Sequence, residues 1–191
     1  MNKLPVYKTE GIVIKAADLG ELDRLLTIYT VKYGKIQARA ISARKKNSKL
    51  NGLLQPFTRS RFLLAKSKTM DIVTDVEAIN NHSFLRGNLS ALAYSFYFSE
   101  LIDKMIPAPE RDDNLWRLIA RVFEVLDQKH SDLPKIRLAF EDKLLEFLGH
   151  PNPSQRGKTL PLQRLNYLQS LAGECLNSYK FFKYLNLARQ N

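Results

Sequence analysis
Acidic residues are missing from a long stretch near the front of this 191-residue chain: from Arg24 to Met70 there are twelve Lys or Arg residues and no Asp or Glu. Surfaces built for solubility intersperse both signs, so unbroken positive charge is the footprint of a face that meets phosphate. Cysteine is nearly missing too. Cys175 stands alone, which excludes an intrachain disulfide and a cysteine-rich zinc site; on an apolar helical face it reads as a small core residue. The histidines, His82, His130 and His150, fall near predicted helix ends without spaced metal-binding partners and read as exposed caps and linkers. The longest run without charge, 87–99, is too short to span a bilayer and is interrupted by Asn88, Ser90 and Ser95. The opening residues MNKLPV contain no apolar core of a signal peptide. A cytoplasmic protein with no membrane segment is the expectation.

What is present is ordinary globular material, 45% hydrophobic and 26% charged, with a net charge of +11. The charge is uneven. Residues 1–80 hold 15 basic and 7 acidic groups (+8), and residues 81–191 hold 15 and 12 (+3). The front is therefore the anion-binding part.

Strand signals fill that front. Residues 6–16 are rich in β-formers, with Gly11 read as a bulge or bend. Asp18-Leu19-Gly20-Glu21 is turn chemistry, and 24–30 returns as a second strand. Gly34 is free to take positive φ in the turn before a third strand, 35–42. That strand alternates Ile36, Ala38 and Ala40 with outward Lys35, Gln37 and Arg39. A polar, mobile loop follows over 43–51. A fourth strand covers 57–65, with Arg59 and Arg61 opposite Ser60, Phe62 and Leu64, and a fifth covers 70–79. Five short strands with hairpin turns predict an OB-fold barrel, with an SH3-like barrel as the alternative. From residue 81 the period becomes helical. One long buried helix is predicted up to Pro107. A second is capped by Asp112 or Asp113, and a third by Ser131 or Asp132 and stopped by Gly149. A linker covers 151–158, and two more helices cover 160–173 and 176–188. The fold class is α+β: an N-terminal five-stranded OB-fold barrel, 1–80, followed by an all-α helical domain, 81–191.

The phosphate-binding candidates are Arg39, Arg44, Lys45, Lys46 and Lys49, with Arg59, Arg61, Lys66 and Lys68 in second rank. Basic side chains on a barrel face form a groove that follows a nucleic-acid backbone. Tyr33, in a turn, is the candidate base-stacking ring; Phe57 and Phe62 read as barrel core. No catalytic group and no cofactor is expected. A metal-dependent nuclease would need Asp18, Glu21 and Asp23 to converge with Asp71, Asp75 and Glu77. An RNA-binding OB module is the other alternative, because phosphate attraction does not distinguish RNA from DNA.

Several words in the chain resemble the RecO family of bacterial recombination-repair proteins: Thr9-Glu10-Gly11-Ile12-Val13-Ile14, Gly20-Glu21-Leu22-Asp23-Arg24-Leu25-Leu26-Thr27-Ile28-Tyr29-Thr30, Tyr33-Gly34-Lys35 and Leu53-Leu54-Gln55-Pro56-Phe57. Weaker likeness continues through Tyr97-Glu100-Leu101 and Phe140-Glu141-Leu144-Leu145-Leu148-Gly149, so that it covers roughly 7–150. The resemblance implies a non-enzymatic, nucleoid-associated mediator of DNA repair and recombination. Such a protein binds single- and double-stranded DNA, anneals complementary strands, and works with RecR and single-stranded-DNA-binding protein in loading RecA. It places the DNA on Arg39, Arg44, Lys45, Lys46 and Lys49. Partner docking would use basic and apolar patches of the helical part near Arg117, Arg121 and Lys183. Many members carry a zinc-binding cysteine cluster just after the position of Gly149; this sequence lacks it, and no zinc is expected.

Overall fold
The computed structural model describes residues 5–50, 52–129, 132–151 and 161–181. Five strands come first: β1 (Val6–Leu19), β2 (Asp23–Thr30), β3 (Gly34–Ala40), β4 (Arg59–Ala65) and β5 (Asp71–Asn80). They close into a barrel in the order β1-β2-β3-β5-β4. Every neighbouring pair is antiparallel except β3–β5, which runs parallel through Ala38↔Asp71 and Arg39↔Ile72. This is the expected OB-fold barrel, and its closure leaves no open sheet edge.

β1 serves two partners. Its first half pairs with β4, from Val6↔Ala65 to Ile12↔Arg59, and its second half with β2, from Gly11↔Thr30 to Leu19↔Asp23. Gly11 lies where the two pairings overlap. A Cβ there would stand 2.7 Å from Ile28 Cγ2 and 3.0 Å from the Tyr29 carbonyl oxygen. Close approach, not a bulge, accounts for the glycine; the register shift falls later, between Val13 and Lys15. The core gathers Val13, Leu26, Ile28, Ala38, Ala40, Phe62, Leu64, Val73 and Val76, the inward residues of the period-2 pattern.

Four local expectations are corrected by the structure. Lys35 is buried rather than outward; it is the second residue of β3 and pairs with the buried Tyr29. β4 begins at Arg59, not at Phe57: Phe57 has φ 69 and tucks its ring inside, its N–H donating to the Val13 carbonyl at 2.7 Å. His82 is no exposed cap. It is fully buried, with its ring Nδ1 2.8 Å from the Phe57 carbonyl oxygen. The loop after β3 is polar only in its middle, for Ala43 and Leu54 are buried in the core and Leu50 and Leu53 pack against it.

The chain divides into two compact units, 1–82 with 107–116, and 83–106 with 117–191. Residues 107–116 thus cluster with the barrel. Gly34 shows why: at φ 63 it sits so close to Glu110 that an added Cβ would lie 1.9 Å from that residue's carbonyl oxygen.

The other unit contains α1 (Ser83–Gly87), α2 (Leu89–Met105), most of α3 (Asp113–Leu126), α4 (Leu133–Phe147) and α5 (Pro161–Ala172). The single long helix expected before Pro107 is two, because the Asn88 side chain accepts from Ser90 N (3.1 Å) and Ala91 N (3.0 Å) and starts a new helix. Nor is α2 buried all round: Leu89 and Phe96, seven residues apart on one face, are exposed. Asp112 caps α3, accepting from Asn114 N and Leu115 N, and Asp132 caps α4. Gly149, at φ 73, ends it. Tyr97, Phe98 and Phe140 build the core, with the Phe98 and Phe140 centroids 4.4 Å apart. The fully buried Glu141 accepts from the Tyr97 hydroxyl at 2.7 Å and pairs with Arg137 and the buried Arg164. Glu100 accepts from Asn177 N and Ser178 N and fixes that segment to α2. Cys175 is exposed and lies outside any helix, contrary to its reading as core. The 152–158 part of the proposed linker, and the last helix beyond 181, lie outside the described residues.

Candidate nucleic-acid interface
The β1–β2 hairpin tip and the loop after β3 meet at Asp23. Its carboxylate accepts from Arg39 Nε at 2.6 Å and from Ser42 N at 2.7 Å. The Ser42 N–H, then the Arg39 guanidinium, hold this carboxyl below its ordinary range. Ser42 itself turns the chain at φ 54. Arg44 ties the next residues down: its N–H donates to the Leu22 carbonyl (2.9 Å), and its guanidinium reaches the Gly20 and Glu21 carbonyls and, at 3.1 Å, Asp18. Out of this anchored base project Lys45, Lys46 and Lys49, all exposed. Lys46 and Lys49 form no ion pair among the described residues.

The candidate cations therefore fall into distinct groups. Arg39 and Arg44 are struts as well as charges, although the Arg39 side chain remains 49% exposed. Arg59 pairs with Glu10 at 2.6 Å and stands 5.7 Å from the Trp116 ring centroid. Arg61 pairs with Glu77 at 3.3 Å in the open. A run without acids in sequence thus meets four acids through strand pairing and the folding of the loop onto the hairpin tip. Lys66 and Lys68 are exposed after β4, at the opposite end of β1 from the loop lysines, since Val6 pairs with Ala65 and Leu19 with Asp23. Arg117 and Arg121 are exposed on α3, Arg121 lying 3.7 Å from Glu124. Lys183 lies outside the described residues.

Tyr33 is 41% exposed, as its turn position predicts, and packs edge-on against Tyr7 with centroids 4.7 Å apart. Beside it opens a groove of about 610 Å³, onto which Lys32, Lys66 and Arg111 also look. Tyr7, Lys32 and Arg111 escaped the sequence reading. No local signal marks Arg111, because its turn lies far along the chain and meets the barrel at Gly34. Phe57 and Phe62 are each 1% exposed, so neither offers a stacking face.

The two acidic clusters do not converge. Asp18 and Asp23 are engaged by Arg44 and Arg39 at the hairpin tip, whereas Asp71 accepts from the Tyr7 hydroxyl and Glu77 pairs with Arg61. Among the described residues no group of three or more His, Cys, Asp or Glu could hold a metal ion. After Gly149 the next candidate ligand is His150, and Cys175 is the sole thiol, so the residues present do not fit a cysteine-rich zinc site. No helix among the described residues is long and apolar enough to cross a membrane.

Comparison with known proteins gives a consistent picture. The family model described as recombination protein O N terminal matches residues 1–82, and the C-terminal one matches residues 86–174. A protein named DNA repair protein RecO from Pelotomaculum thermopropionicum is 36% identical over 147 residues, covering 77% of this chain and 57% of its own. One of the same name from Alkaliphilus metalliredigens is 34% identical, covering 75% and 58%. The protein so named from Clostridium novyi is 30% identical over 183 residues, covering 93% and 71%. The match spans little more than half the length of the first two of these.

Proposed function
Because this chain belongs to the RecO family, we propose that it is a non-catalytic mediator of DNA repair and recombination that binds single- and double-stranded DNA and anneals complementary strands. The observation that carries this reading is the anchored loop with exposed Lys45, Lys46 and Lys49 on an OB-fold barrel. Cations placed on one surface offset the repulsion between two phosphate backbones, so complementary strands approach each other there. The barrel unit, residues 1–82 with 107–116, is the DNA-binding part, and the helical unit docks protein partners. Arg117 and Arg121 are four residues apart on one face of α3, a basic patch suited to an acidic tail. Single-stranded-DNA-binding protein and RecR are the partners, and loading of RecA onto coated DNA is the step served, in the bacterial nucleoid.

The test is annealing of complementary oligonucleotides coated with single-stranded-DNA-binding protein. The chain accelerates duplex formation if the reading holds; an unchanged rate refutes it. Competition with matched RNA belongs in the same experiment, and a strong RNA preference overturns the repair assignment. Incubating labelled DNA with the chain and magnesium checks the absence of catalysis, since cleavage refutes it.

A further inference from the structure
The groove beside Tyr33 has chemistry that the loop lysines do not supply. Its floor is apolar and aromatic: Tyr7, Tyr33 and Ile36. Its rim is cationic: Lys32, Lys66 and Arg111 are all exposed, with Arg111 3.3 Å from Asp113. The one acid in the wall, Asp71, accepts from the Tyr7 hydroxyl and from Ser67 N. Burial, then Asp71, pushes the Tyr7 phenol up, so it remains a neutral donor.

The floor is also set in advance. Tyr33 N donates to Thr30 Oγ1 at 3.0 Å, and that hydroxyl donates to the Gly34 carbonyl at 2.9 Å. The neighbouring Gly34 is pressed against Glu110, which holds the 107–111 turn and its arginine at the rim. An exposed ring held at a defined angle within a cationic rim matches a flat aromatic ligand carrying phosphates on either side. Its volume lies within the range of small-molecule sites. A base paired in duplex has both faces covered by its neighbours and does not enter such a groove; an unstacked base does.

We propose that this groove is a nucleobase pocket for single-stranded DNA, separate from the basic loop and reached along β3. Tyr33 precedes the first residue of β3 and Ser42 lies two residues beyond its last, with exposed Gln37 and Arg39 between. That strand spans about 20 Å, so one single strand of several nucleotides, within the usual OB-fold site size, lies on the loop lysines and inserts a base at Tyr33. The inference rests on the DNA-binding reading above.

The experiment uses the full chain and a single-stranded oligonucleotide carrying one fluorescent 2-aminopurine, with a matched duplex as control. The unaltered chain quenches the fluorescence. Tyr33→Ala abolishes the quench and weakens single-strand binding on the order of 10-fold, with duplex affinity retained, while Tyr33→Phe keeps both. Unchanged quench and affinity in Tyr33→Ala overturn the pocket, as does an equal loss for single strand and duplex. Lys66→Glu, on the exposed rim, should lower single-strand affinity independently of the tyrosine; no effect there also counts against the pocket. Failure of the unaltered chain to bind single strands defeats the DNA-binding reading itself, a result distinct from the others.

Discussion
Replacing Lys45, Lys46 and Lys49 together with Ala removes exposed charge from a loop whose folded shape other residues hold. Arg44 stays in place because it braces Leu22, Gly20, Glu21 and Asp18, and its loss would confuse binding with folding. Each single-strand phosphate contact contributes about 0.7 to the slope of log affinity against log salt. Three lost contacts make the slope shallower by roughly 2, so over a fourfold rise in salt the parent chain loses about 16-fold more affinity than the variant. Arg59→Ala is the control. Its guanidinium is engaged by Glu10 and Trp116, so the change costs about 1 kcal/mol of stability and leaves the slope near that of the parent. Fluorescence anisotropy of a labelled oligonucleotide across a salt series, with urea unfolding of each variant, measures both quantities. An unchanged slope in the lysine variant, or an equal flattening in Arg59→Ala, refutes the division of the cations into loop lysines and paired arginines.

Gly11→Ala should destabilise the barrel by about 1–3 kcal/mol through overpacking, since the new methyl meets Ile28 at 2.7 Å; urea unfolding at an unchanged midpoint would contradict the close approach. Glu141→Ala leaves the Tyr97 hydroxyl without its acceptor and takes from the buried Arg164 one of its two carboxylate partners, Asp142 remaining, and should cost roughly 1–3 kcal/mol, read by thermal unfolding. Asp23→Asn addresses pH. The folded carboxyl lies below its ordinary 3.8, so the stability it contributes is present above that value and is lost as pH falls through the lower folded value. The gap in melting temperature between parent and Asp23→Asn should therefore narrow on acidification, and a widening gap would refute the assignment.

Much of the fold was legible because its signals are local. The alternation of Ile36, Ala38 and Ala40, the turn at Gly34, and the caps Asp112 and Asp132 each depend on residues within one turn or one strand. The errors arose where a distant contact decided the outcome. His82 looked like an exposed cap, yet the carbonyl of Phe57 accounts for its burial. Gly11 looked like a bulge, yet Ile28 and Tyr29 require its missing side chain. The loop over 43–51 looked wholly polar, although Ala43 at its start belongs to the core and Leu50 packs against it.

The primary structure alone was enough to establish two periods, strands then helices, and an excess of positive charge at the front, because periodicity is local and net charge survives folding unchanged. Which of those cations faces solvent was decided only when the barrel closed. Arg59 finds Glu10 across 49 positions and Arg39 finds Asp23 across 16, while Tyr7, Tyr33, Lys66 and Arg111 come together in one groove. Strand register and the seating of a turn against Gly34 make those meetings, and both are long-range outcomes of packing that no window of the chain contains.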